Sequence, residues 1–454
     1  MLIRNAEIEG ARLADVRVEG GRIAAIRSGL QPSSGEDVLE GEGCALFPGL
    51  HDHHIHLAAY AAALASIDCG PHYVGTADAL AALLSRLDQP NAGWLRGTGY
   101  HDSVAGSIDR DFLDRIIPLR PIRIQHRSGR LWIFNSAGLA ALNPKDDAPL
   151  ERVDGRLTGR LYDGDAWLRQ ALASRFPDLG AASRVLASYG ITGVTDATPS
   201  NGPDELAHFR AAQASGELLQ SVFVMGDDRL NGVAGAGPRK FHLHEADLPD
   251  FDETVAHIAR CHAAGRAAAF HCVARTDLAF ALVAIETAGV RPGDRIEHAG
   301  VAPPDLARIM RRLGVTVVTQ PNFIAERGDS YLREVAAEDL PWLYPAASLE
   351  GIPIAGGADA PFGNADPWVL MDAAVRRTTA QGHVIGDEER LTPEAALRLF
   401  LGRPENPGGP ARRVAVGEKA DLVLLDRTWR EARSALAAVR VKATLKTGHP
   451  IFRA

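Results

Sequence analysis

Between about residues 47 and 404, short apolar runs alternate with longer stretches rich in Ala, Leu and Arg. The runs at 46–56, 190–197, 220–226, 239–244, 267–272, 295–298, 315–320 and 352–358 have the length and boundaries of buried strands. Helical patterns separate most of them, among them 252–264, 277–288 and 304–313. Strands and helices in this alternation predict an α/β fold, a (β/α)8 TIM barrel. The interval from about 70 to 188 is too long for one crossover. It holds a further strand pattern at 121–126 and several turn signals, and is expected to be an insertion after barrel strand one, over the barrel mouth.

The two ends of the chain have a different pattern. Residues 2–8 alternate, 16–18 and 22–26 follow around Gly20-Gly21, and 420–426, 439–447 and 451–452 read as strands near the other terminus. Residues 1–46 and 405–454 are therefore expected to form one small β-sandwich domain beside the barrel, which spans 47–404.

Composition narrows the class. The chain of 454 residues has 46% hydrophobic and 23% charged residues and a net charge of −8, which fits a globular protein and leaves no basic footprint for nucleic acid. Cys44, Cys69, Cys261 and Cys272 form no C-x-x-C pair, so reduced thiols in a cytoplasmic enzyme are expected. A charge at Arg4 comes too early for a secretory signal. The longest apolar run, 55–67, is too short for a bilayer and includes His56. Only five lysines occur, so Lys240 inside a predicted buried strand stands out.

Candidate chemistry begins at Phe47-Pro48-Gly49-Leu50-His51-Asp52-His53-His54-Ile55-His56. Residues two apart on a strand share a face, so His54 and His56 can direct two imidazoles at one metal ion. Functional side chains of such barrels sit at the C-terminal strand ends. There the chain offers His54 and His56 on strand one, Lys240 on strand four, His271 on strand five, His298 on strand six and Asp359 after strand eight. Four histidines, a lysine and an aspartate make the ligand set of a binuclear metal site. Its bridge would be a carbamate, formed when the neutral lysine amine adds carbon dioxide. Zinc is the default for these ligands, though iron, manganese and cobalt also suit them.

These motifs resemble the amidohydrolase superfamily, in particular its amidohydrolase-3, or YtcJ-like, branch. The match extends through Asn135-Ser136-Ala137, the segment from Gly190 to Asp196, and Arg295-Ile296-Glu297-His298. It continues through Gln320-Pro321, Asp359-Ala360-Pro361 and the segment from Gly417 to Asp426. The resemblance implies that His54, His56, Lys240 and Asp359 hold one metal, and that the Lys240 carbamate, His271 and His298 hold the other. It also implies that Asp359 shuttles the proton. Substrate contacts are looked for at His101, Arg130, Tyr162 and Arg275, the two arginines offering a side suited to a carboxylate. Asp196 is a candidate to orient a ligand histidine. His242 and His244 share the face of Lys240, as supporting groups or competing ligands.

The expected activity is hydrolysis of a non-peptide carbon–nitrogen bond in a small molecule: an N-substituted amide, formamide or cyclic amide. Alternatives are a mononuclear deaminase, a lactone or ester hydrolase and, more distantly, a scaffold protein without catalysis. The superfamily resemblance adds the expectation of a homo-oligomer.

Overall fold

The computed structural model describes residues 1–71, 73–89, 93–172 and 176–454. Its chain divides into two compact units, Met1–Leu57 with Leu179–Ala454, and Ala58–Asp178. The first unit contains an eight-stranded parallel sheet in sequential order: Leu50–Ile55, Ile191–Asp196, Ser221–Gly226, Ala236–His242, Ala268–Cys272, Arg295–His298, Thr316–Thr319 and Ile354–Gly356. Every expected barrel strand is present, and helices Phe251–Ala263, Arg275–Ala288 and Pro304–Leu313 fall where the pattern placed them. Outward-facing Phe270, Cys272, Ile296 and Val317 pack with Ile258, Leu282, Ile285 and Met310 into an apolar shell between strands and helices.

The ring closes between the last strand and the first. Asp359 N donates to His54 O at 2.8 Å, and the Asp52 carboxylate accepts from His54 N at 2.9 Å and Ala358 N at 3.2 Å. A Cβ on Gly357 would lie 2.4 Å from His54 N. Only glycine lets the eighth strand come this close to the histidine segment.

Strand one is shorter than expected. The chain breaks at Gly49, so that Ala45–Pro48 belongs to the terminal sheet and Leu50–Ile55 to the barrel. A Cβ on Gly49 would meet Thr192 Cγ2 at 2.3 Å, so the switch between sheets needs a residue without a side chain. The terminal sheet has eight strands drawn from both ends of the chain and encloses a core that includes Ile3, Val16, Ile23, Leu46, Leu422 and Leu445. It forms the small sandwich beside the barrel.

Helix Gly180–Ser188, expected inside the insertion, belongs to the barrel unit. It buries Ala182, Leu186 and Ala187, and Ser183 Oγ donates to Gln220 Oε1 at 2.9 Å. The other unit, Ala58–Asp178, is more than the single strand read from sequence: it carries a six-stranded sheet. Asn135 is its hub. The amide oxygen accepts from Gly138 N and Ile122 N, and the amide nitrogen donates to Ile117 O and Arg120 O.

Among the described residues, no helix is long and apolar enough to cross a membrane.

Candidate metal centre

The barrel's C-terminal rim brings the six expected ligands into one neighbourhood. A ligand atom from each of His54, His56 and Asp359 lies within 4.8 Å of the others. His54 Nε2 is 3.3 Å, and His56 Nε2 3.2 Å, from the same atom, Asp359 Oδ1. The His298 ring centroid lies 4.8 Å from that of His54 and 4.4 Å from that of His271. Lys240 pairs in register with Ala269, and His242 with His271, so Lys240 stands one side-chain layer below His271 on the adjacent strand.

Local backbone conformation decides which side chains face inward. Simple alternation would put Glu297 and His298 on opposite faces. His298 instead has φ 72°, and both side chains reach His54. Asp359 has φ 55°. A left-handed backbone costs a non-glycine residue about 1 kcal/mol or more, and two of the six candidate ligands carry that strain. Register breaks beside strand one accompany the shift from His51 and His53, whose ring centroids lie 4.5 Å apart, to His54 and His56.

Each histidine of the first pair is pinned through Nδ1. His54 Nδ1 donates to Glu297 Oε2 at 2.5 Å, and His56 Nδ1 is hydrogen-bonded to Thr198 Oγ1 at 3.0 Å. Both Nε2 atoms are thereby turned toward Asp359, the way outer hydrogen bonds orient metal-binding imidazoles. Glu297 is itself clamped by Arg295, whose Nη2 also donates to His53 O at 2.8 Å. Asp196, expected to orient a histidine, works through the backbone. Its carboxylate accepts from Leu57 N at 2.7 Å, Thr198 N at 3.0 Å and Asn201 Nδ2 at 2.7 Å, fixing the segment that carries Thr198. Glu297, Thr198, Arg295 and Asp52 had no assigned role from sequence. The available signal was Arg295-x-Glu297, two charges on one face of a strand otherwise read as buried.

The electrostatics suit cation binding. Burial lowers Lys240 to about 8, with Arg295 helping and Glu297 and Asp359 opposing. At that value roughly a tenth of the amine is neutral at pH 7, against about three in ten thousand for an ordinary lysine. Burial likewise takes His298 down to about 3, and burial with His298 and His242 holds His271 well below the usual range, so both imidazoles are neutral as ligands must be. Burial pushes Asp359 up, but His54 and His56 hold its carboxyl well below the usual range. Burial and Lys240 push His54 down, while Glu297 and Asp359 outweigh them and raise it. In the ion-free chain, a proton on His54 competes for the place of a cation.

Buried polar atoms supply the test of fit. Lys240 Nζ, both ring nitrogens of His298, His54 Nε2 and Asp359 Oδ1 have no hydrogen-bond partner among the described residues. Leaving so many buried polar atoms unmatched at one place costs about 1–3 kcal/mol each. Divalent cations could take up His54 Nε2, Asp359 Oδ1 and one ring nitrogen of His298, with a carbamate on Lys240 Nζ supplying oxygen ligands, so the residues fit the metal that the motif implies.

The other candidates make local contacts. Arg275 lies 3.3 Å from Asp305, and both are exposed. In the Ala58–Asp178 unit, Arg130 makes a two-pronged pair with Asp163 (2.6 and 2.8 Å), His101 caps helix Asp102–Ala105, and Tyr162 is exposed. Cys272 points into the outer apolar shell, away from the ligands, and burial raises its thiol far above the usual range.

Barrel, terminal sandwich and histidine-rich rim define a metal-dependent hydrolase architecture, and residues 37–452 match the Amidohydrolase family. The chain belongs to that family, and it is an enzyme acting on carbon–nitrogen bonds. It is 26% identical to N-substituted formamide deformylase of Arthrobacter pascens over 94% of this chain and 92% of the relative. It is 25% identical to the putative amidohydrolase YtcJ of Bacillus subtilis over 86% of each. A crystal structure of an uncharacterized metal-dependent hydrolase from Pyrococcus horikoshii shares the fold, with a TM-score of 0.75, 20% identity and 99% of each chain covered.

Proposed function

We propose that this chain hydrolyses an N-substituted amide or formamide of a small molecule, using two divalent ions bridged by a carboxylated Lys240. The observation that carries the reading is the convergence of unmatched buried donors and acceptors around Lys240, His54, His298 and Asp359. His54, His56, Lys240 and Asp359 would hold one ion, and the carbamate of Lys240 with His271 and His298 the other. Bound there, such ions lower the pKa of a coordinated water toward neutrality and polarise a carbonyl. A lysine that deprotonates near 8 supplies the neutral amine that carbon dioxide requires.

The protein's own groups handle orientation and protons. Glu297 and Thr198 hold the first two imidazoles, and Arg295 holds Glu297 in place. Asp359 is ionised and stands between two Nε2 atoms, so its carboxylate can accept a proton from the attacking water. Passing that proton to the departing nitrogen lets the amine leave neutral, and the acyl part leaves as a carboxylic acid. The named activity of the Arthrobacter relative supports formamides as the first substrates to examine.

The test is turnover of a panel of N-substituted formamides, amides, cyclic amides and lactones by wild type and Asp359→Asn. The reading expects a carbon–nitrogen substrate to be cleaved by wild type and the variant to keep at least one metal while turning over very slowly. Near-normal turnover in Asp359→Asn would remove its shuttle role.

A further inference from the structure

The strand that carries Lys240 ends at His242, and His244 follows two residues on, giving a second H-x-H pair that the proposed metal pair does not use. Their ring centroids lie 4.5 Å apart with planes tilted by 39°. The first pair, His54 and His56, has its centroids 5.5 Å apart. On the other side, the His242 ring lies 4.4 Å from that of His271. His242 is exposed and His244 half-buried, so the pair is open to solvent from the rim.

We propose that His242 and His244 form a separate, exchangeable binding site for a borderline-soft divalent cation such as Zn2+, Cu2+ or Ni2+. Imidazoles whose rings lie this close can bite a single ion, and water can complete the coordination where the site faces solvent. Two imidazole nitrogen donors favour these ions over Mg2+ or Ca2+, which prefer oxygen ligands. The site lacks the outer hydrogen bonds that fix His54 and His56: among the described residues, neither the His242 nor the His244 ring makes one. It should therefore release its ion more readily than the buried centre.

The experiment uses the metal-filled enzyme, freed of loose ions by gel filtration and then titrated with Zn2+ under calorimetry, with metal counted before and after. The baseline count reports the buried centre; the increment reports this site, so the two can fail independently. Wild type should take up an additional ion per chain that His244→Ala does not, with the baseline unchanged. Mg2+ should give no heat. Equal uptake by wild type and His244→Ala overturns the proposal. A second measurement covers a poorly folding variant: Cu2+ added to zinc-filled wild type should show coupling to two imidazole nitrogens by electron paramagnetic resonance. An oxygen-only copper spectrum would equally overturn it.

Discussion

The two H-x-H pairs of the barrel have the same spacing and opposite surroundings. His54 is buried and His56 nearly so, each with its Nδ1 committed to Glu297 or Thr198 and its Nε2 aimed at Asp359. His242 stands exposed beside His244, and its contacts are other imidazoles. An H-x-H spacing at the C-terminal end of a strand gives both pairs the reach to hold a cation. In the proposed assignment, what separates the catalytic centre from the loose chelate is the layer beneath: buried hydrogen bonds that choose the tautomer and fix the ring.

The sharpest break in that comparison is a pair of alanines. His54→Ala should lower turnover by about 10²–10³-fold or more, the scale of losing a principal electrostatic stabiliser, and should empty the first metal position preferentially. His244→Ala should leave basal turnover unchanged. Kinetics with elemental analysis reads both, and unchanged metal content in His54→Ala would sink the assignment.

Removing the support, with the ligands kept, should have the next largest effect. Glu297→Gln withdraws the charge that holds His54 and leaves Arg295 buried against a neutral amide. Metal affinity should fall about 10–100-fold. Stability should fall by up to about 3–5 kcal/mol, the range for breaking a buried ion pair. Competition with a chelator and thermal melting measure the two effects.

Proton competition comes next. The raised pKa of His54 and the lowered pKa of Lys240, near 8, act in the same direction. As pH rises, His54 gives up its proton and the lysine amine becomes neutral, so metal uptake by the stripped enzyme should improve from pH 6 to pH 9 at fixed dissolved carbon dioxide. Uptake that declines over this range would contradict both assignments.

Thr198→Val should have the smallest effect. His56 loses one partner, but its backbone N–H still donates to Ala360 O at 2.9 Å, so metal affinity should drop at the low end, about tenfold. Metal competition at constant pH is the check.

Legibility in the sequence followed the same physical line. Barrel strands buried on both faces leave continuous apolar runs, and all of them could be located. Likewise the six candidate ligands sit at strand ends, where the fold rule says to look. The sheet of the Ala58–Asp178 unit was mostly hidden because its strands carry charges that look like loop. Arg96 and Arg123 lie over the Trp132 ring at 5.2 and 5.4 Å, so cations pack where apolar side chains would have signalled a strand. Glu297 was hidden for another reason. Its role depends on His54, 243 residues earlier in the chain, and on the left-handed turn at His298. Neither leaves a mark in local spacing.

The proposed function rests on Lys240, as a carbamate, joining two ions into one centre. Counting metal in protein grown with ample zinc and bicarbonate, as wild type and as Lys240→Ala, tests it most directly. We expect two tightly held ions per wild-type chain and loss of metal in the variant. An undiminished metal count in Lys240→Ala would contradict it.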